Sequence, residues 1–265
     1  MDKVTFFKVK SFIKKYGMFY AIGFIIAFAF KYYYSIADAD SLDWILAPTA
    51  RWVQFLCGIP FEKEQYIGYV NHEYQFIIAP ACAGMNFMII AYSTLVCSFI
   101  NRMTTVKSRW LWMVLCLVIL YPYTILVNSL RIIPSIYLLR LDIYGGWITP
   151  ERIHTIEGTS VYFASLLFLY FIVDEVLQHF ATASGKNMRT VKSPIHVLYK
   201  YIIPVFLYFA VTLGVPFLNG AFTDNRIEFL EHAVIITVVC SIIILLMCLV
   251  LTAKKHFAEK VFSKS

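Results

Sequence analysis

Runs of about twenty apolar residues recur along this chain, and each approaches the length that carries a helix across a bilayer. They read as Tyr16–Tyr34, Phe76–Ile100, Trp110–Ile133, Gly158–Leu177, Tyr201–Leu218 and Leu230–Thr252. A large soluble helical protein would show polar stripes along its helices. The longest of these runs have none. Hydrophobic residues make up 60% of the 265, whereas soluble domains hold about 45–50%. The expected fold is therefore an all-α membrane protein, a polytopic bundle of about six transmembrane helices. No boundary, repeat or low-complexity tract divides the chain, so 1–265 reads as a single integral membrane domain, with Ala181–Pro194 as a plain connecting loop.

Charge sets the expected orientation. If the runs alternate in direction, 16 of the 23 basic residues fall on one side, among them Lys14, Lys15, Arg102, Lys107, Arg109 and Lys254. The other side holds 12 of the 16 acidic residues, including Asp38, Asp40, Asp43, Glu62, Glu64 and Glu73. Lys and Arg bias cytoplasmic loops. Both termini are thus expected in the cytoplasm, with the protein in the cytoplasmic (inner) membrane and among membrane lipids. The +7 net charge is mostly this topology signal, and no nucleic-acid partner is implied. The first run is long and lacks a small-residue cleavage site, so it reads as an anchor and not as a removed signal peptide.

The outer segment Ala37–Gln75 carries its own structural signals. Pro48 is expected to open a short helix carrying Trp44, Trp52, Val53, Phe55 and Leu56, which suits a helix lying in the interface. A re-entrant course over 44–59 is the alternative. Further on, Tyr66–Val70 and Glu73–Ile78 flank Asn71 and His72, a pattern for a small β-hairpin. Such a hairpin would run straight into the region of Cys82 and offer an edge to an extended peptide. An ordered cap over the bundle is the competing reading.

Six cysteines show no CxxC pair and no ladder of spacings, so neither a zinc site nor a disulfide framework is indicated. Cys97, Cys116, Cys240 and Cys248 lie within the runs, where they act as small hydrophobes. Topology leaves Cys57 and Cys82 near the outer face. Pro80 fits the first position of a helix, which would set Cys82 in the first turn. There the positive end of the helix dipole favours a thiolate. Ala81, Ala83 and Gly84 leave room for a substrate or a neighbouring helix. Inert packing is the bland reading of such a cysteine.

Two more polar side chains share that outer level. Arg131 ends the third run, at a depth where a charge is costly. Snorkelling to the headgroups would account for it, but Asn128 lies three residues earlier on the same helical face. The pair can hold one another, and the guanidinium can then face a developing oxyanion. Ahead of the fourth run, Thr149-Pro150-Glu151 reads as a helix start. His154 falls on the second turn of that helix, with Glu157 and Gly158 three and four residues on, on the same face. Glu157 can orient the imidazole, and Gly158 allows close helix contact. A thiol, a guanidinium and an imidazole on one membrane side supply a nucleophile, an anion stabiliser and a base for acyl transfer.

In this order and on these runs, Ala81-Cys82-Ala83-Gly84, Asn128-Ser129-Leu130-Arg131-Ile132 and His154 with Gly158 resemble the exosortase/archaeosortase family of membrane transpeptidases. The likeness covers about residues 46–177, leaving 201–218 and 230–252 as additional helices. The segment from Ala47-Pro48-Thr49-Ala50-Arg51 to the cysteine looks most like the exosortase K branch. The resemblance implies Cys82, Arg131 and His154 as a catalytic triad at the outer face, with no metal or cofactor. It implies exported protein substrates ending in a short motif, a hydrophobic helix and a basic tail, which are cut and passed to an acceptor such as a glycan or lipid. Many relatives carry Cys-Ser-Gly where this chain has Cys82-Ala83-Gly84, so no serine hydroxyl is available here. A multi-pass transporter and a non-enzymatic envelope-assembly protein are the rival readings. The transporter would need paired interrupted spans, and the assembly protein would tolerate Cys82→Ala.

Overall fold

Helices dominate the computed structural model, which describes residues 3–141, 143–183 and 201–262. Among these residues five helical stretches are long and apolar enough to cross a membrane: Lys10–Ile36, Pro80–Arg102, Val106–Leu138, Pro150–Thr182 and Arg226–Val250. A further apolar helix, Ile202–Leu218, is shorter. The architecture is the all-α membrane bundle that the apolar runs imply. The chain forms two compact units. One comprises Met1–Tyr137 with Ile203–Val211, the other Leu138–Ile202 with Thr212–Ser265.

In the first unit α1 (Lys3–Ile36) packs along α3 (Met85–Phe99). The α3 helix is apolar on all sides, and nearly every residue from Met85 to Phe99 is buried, as an all-round hydrophobic helix must be. Helix α4 (Val106–Leu138) begins with a reciprocal cap. The Ser108 amide donates to Thr105 Oγ1 at 3.1 Å, and the Thr105 amide to Ser108 Oγ at 3.1 Å. Trp112 Nε1 then donates to the Leu95 carbonyl, tying α4 to α3. Arg109 is buried in that first turn, with its guanidinium donating to the Met103 and Lys15 carbonyls and lying over the Tyr16 ring. Carbonyl acceptors and a ring face replace the water it gives up.

Pro48 does not open its helix. The helix α2 (Asp43–Cys57) begins five residues earlier, with Asp43 in its first turn. Pro48 has no N–H to give the Trp44 carbonyl, four residues back, a loss that normally breaks a helix. Here the Tyr121 hydroxyl of α4 supplies that bond at 2.7 Å, while the Trp44 and Tyr121 rings stack 5.7 Å apart. One face of α2 buries Ile45, Leu46, Thr49, Ala50 and Val53. Trp52, Phe55 and Leu56 stay exposed, leaving the helix amphipathic.

A three-stranded antiparallel sheet follows, in the order β1 (Glu62–Glu64), β2 (Gly68–Asn71), β3 (Phe76–Ile78). The hairpin read from the sequence is the β2–β3 pair, with Tyr69 opposite Ile78, Val70 opposite Ile77 and Asn71 opposite Phe76. Asn71 holds its turn by accepting the Tyr74 amide at 2.6 Å and donating to the Pro60 carbonyl at 2.6 Å. Gly68 adopts φ +126°, and a Cβ there would sit 2.4 Å from the Ile78 carbonyl oxygen. Only glycine lets the two strands close this tightly. Strand β1 carries no apolar alternation. Lys63 lies 3.3 Å from both Asp40 and Asp43, and Tyr69 donates to Asp43 at 2.7 Å. Those carboxylates hold the Lys63 ammonium above its usual range, with the Asp43 hydrogen bond the main cause.

In the second unit α5 (Pro150–Ala183) runs along α9 (Arg226–Phe262), and Arg152 pairs with Glu231 between them. Pro204 and Pro216 both permit a break in Ile202–Leu218. That stretch is α6 (Ile202–Phe209), which from Ile203 belongs to the first unit, a π segment (Ala210–Gly214) and then α7 (Val215–Leu218) of the second unit, so the irregularity falls between the prolines. A short α8 (Ala221–Asp224) leads into α9. Beyond Ala183, the loop expected over 181–194 lies outside the described residues.

Candidate active site

The chain leaves β3 through Ala79 and enters a single 3₁₀ turn, Pro80–Cys82. The Cys82 amide donates to the Ala79 carbonyl at 2.7 Å, and the Ala83 amide to the Pro80 carbonyl at 3.0 Å. The long helix starts only at Met85, so Cys82 precedes it and does not stand in its first turn. Gly84 is the reason. Its φ of +71° is left-handed and interrupts the helical path between turn and helix. A Cβ at Gly84 would lie 3.1 Å from Thr124 Cγ2 and 3.3 Å from Asn128 Cγ. The site therefore needs glycine twice over, for conformation and for the close approach of α4. Cys82 is half-buried, between exposed Ala81 and buried Ala83.

Asn128 supplies the link to α4. It is fully buried, and its Nδ2 donates to the carbonyl of Cys82 itself. Arg131 lies one turn further along α4 and keeps only 6% of its surface exposed. Such burial inside the protein differs from a side chain snorkelling toward headgroups. Cys82, Gly84, Asn128 and the helical turn bearing Arg131 thus come together in the first unit. Asn128→Ala removes a buried bond and should lower unfolding stability by about 1–3 kcal/mol. The freed turn should also label faster at Cys82 with a small maleimide. Unchanged melting and labelling together would show that this contact holds nothing.

Helix α1 adds residues that sequence reasoning missed. The Tyr34 hydroxyl donates to the Pro80 carbonyl at 3.4 Å, two residues before Cys82. Lys31 donates to Asn86 Oδ1 at 2.8 Å and sits 5.4 Å from the centre of the Tyr34 ring. The available signal was Lys31 itself, a charge inside an otherwise apolar run, which marks function by default.

His154, Glu157 and Gly158 belong to the second unit. The start of α5 is as its residues imply. Pro150 occupies the first position, the Arg152 amide donates to Thr149 Oγ1 at 3.3 Å, and the Ile153 amide to the Thr149 carbonyl at 3.0 Å. His154 is exposed on the second turn, Glu157 is half-buried, and Gly158 and Thr159 are buried. On a neighbouring face Glu151, Arg152 and Thr155 line a cavity of about 790 Å³ with Asp224, Glu228 and His232. Elsewhere, His72 lies 2.9 Å from Glu64, and Cys57 donates to the Val53 carbonyl at the end of α2. All six cysteines are free thiols. Among the described residues no cluster of three metal-ligating side chains occurs.

Neither a curated protein nor a solved structure matches the chain. A family model described as Transmembrane exosortase (Exosortase_EpsH) matches residues 7–171, well over half of the sequence. That stretch runs from α1 through the Cys82 turn and α4 into α5, and with it the chain belongs to the transmembrane exosortase family.

Proposed function

We propose that this protein is a membrane cysteine transpeptidase that cleaves C-terminal sorting signals from exported proteins and transfers them to an envelope acceptor. The observation that carries the reading is the Asn128 bond to the Cys82 carbonyl, which ties a half-exposed thiol to the helix bearing a buried guanidinium. The family match supports the same assignment. Cys82 attacks the scissile carbonyl while His154 accepts the thiol proton. Arg131 stabilises the tetrahedral oxyanion, a charge that develops only in the transition state. The C–N bond then breaks, His154 returns the proton to the leaving amine, and a thioester remains on Cys82. A glycan or lipid nucleophile displaces the thiolate to give the transferred product, and water in its place gives simple proteolysis. Glu157 orients the imidazole. In this reading both termini are cytoplasmic, the site faces the outer side of the cytoplasmic membrane, and the substrates bear a motif, a hydrophobic helix and a basic tail.

Hydroxylamine tests the intermediate. Added to membranes during processing, it should release the substrate as a hydroxamate, and no such product should form with Cys82→Ala. Processing that yields no hydroxamate at any concentration would exclude the thioester. Arg131 is open to a separate measurement. Its replacement by alanine should cost about 10²–10³ in turnover, the usual loss for one oxyanion donor. Arg131→Lys should recover little, because an ammonium lacks the planar fork. Full activity with Arg131→Lys would reduce the role to charge alone.

A further inference from the structure

The sheet ahead of Cys82 has two edges of opposite character. Strand β1 is Glu62-Lys63-Glu64, and two of its charges are engaged, Lys63 with Asp40 and Asp43, Glu64 with His72. Charged edges of this kind resist the addition of another strand. Strand β3 is Phe76-Ile77-Ile78, with no charge, and β2 is its one neighbour in the sheet. Phe76 and Ile78 are buried, whereas Ile77 is 46% exposed. A bare apolar edge is a hazard that proteins normally blunt, and here only the edge leading to the thiol is left unblunted. It is also preformed. Gly68 lets β2 close against Ile78, and Asn71 accepts the Tyr74 amide within the connecting turn while donating to the Pro60 carbonyl ahead of β1. Ile78 stands four residues before Cys82, at most about 14 Å along an extended chain.

We infer that the free edge of β3 receives the extended segment of the substrate that carries the scissile bond, adding it as a fourth strand and leading it to Cys82. The inference rests on Cys82 being the nucleophile. Strand addition suits this task because main-chain hydrogen bonds hold a peptide straight, with its carbonyls presented in register. It explains why the nucleophile follows a strand directly, and it makes the Ile77 side chain a contact for one residue of the substrate.

Photo-crosslinking in native membranes tests the assignment. Benzoylphenylalanine is placed at Ile77, at Lys63 or at Ala81 of the full chain, with Cys82→Ala to stall turnover. The Ile77 probe should capture an unprocessed exported protein with a C-terminal helix and basic tail, joined within a few residues of its cleavage position. The Lys63 probe should capture at least about tenfold less. Equal capture at Ile77 and Lys63, or capture only of a second copy of this chain at Ile77, would overturn the inference. Capture at Ala81 without capture at Ile77 would overturn the edge and leave Cys82 standing, whereas no capture at either would remove both. Kinetics add a second readout. Ile77→Lys should raise KM about tenfold with kcat unchanged, as expected when uniform binding is lost. An unchanged KM with Ile77→Lys would also refute strand addition.

Discussion

Cys82→Ala is expected to abolish processing, with a fall of about 10⁴-fold or more, comparable to removal of a nucleophile from other covalent catalysts. Cys82→Ser should fall nearly as far, because a hydroxyl at its ordinary acidity is a far weaker nucleophile than a thiol. Neither change should disturb the fold. The turn is held by main-chain groups, the Cys82 amide on Ala79 and the Cys82 carbonyl on Asn128, and the sulfur takes part in neither bond. Insertion and melting should therefore match the parent. The ratio of precursor to mature substrate on a gel gives the activity, and a melting curve in detergent gives the stability. Cys57→Ala is the matched control, since that thiol donates to Val53 at the end of α2. Processing by Cys82→Ala at even a few per cent of the parental rate would end the cysteine mechanism. Loss of activity with Cys57→Ala would move the nucleophile elsewhere.

Much of this architecture is legible in the sequence because bilayer crossing imposes a length and a composition together. Five apolar runs reappear as long helices, and the run at 201–218 reappears as a shorter, irregular one. What the sequence hides is compensation from residues far along the chain. Pro48 reads as a helix start because a proline within a helix leaves a carbonyl unpaired, and nothing near it reveals that Tyr121 fills the gap. Strand β1 is invisible because Glu62-Lys63-Glu64 has no β-branched or aromatic residue. Its place depends on Asp40 and Asp43, some twenty residues earlier.

The candidate site divides in the same way. Cys82, Asn128 and Arg131 are recognisable by type and position, but the bond from Asn128 to the Cys82 carbonyl spans 46 residues and has no local signal. Pro80 points to a helix that would include Cys82, as would any Pro-Ala-Cys-Ala run. Gly84 decides otherwise, because its left-handed backbone ends the 3₁₀ turn before the long helix begins. Tyr34 and Lys31 drew no reading from the sequence, yet they contact Pro80 and Asn86 on either side of the thiol.

His154→Ala is expected to lower turnover by about 10²–10⁴, the span of general acid–base catalysis. The side chain is exposed on the second turn of α5, while Gly158 and Thr159 on the same helix are buried. Removing the imidazole should leave that buried face and the Thr149 cap in place, so the start of α5 should persist. The stronger test is the double variant. A base that acts only by activating a nucleophile has nothing left to do once the nucleophile is gone, and effects within such a unit do not add. The variant carrying both Cys82→Ala and His154→Ala should therefore be no slower than Cys82→Ala alone. Glu157→Gln should cost about tenfold in the presence of His154 and nothing in its absence, which separates an orienting carboxylate from a structural one. Independent, multiplying losses from Cys82 and His154 would mean that the imidazole serves another step. A His154→Ala variant with unimpaired turnover would leave Cys82 without its proposed base and require the proton to be carried by another residue.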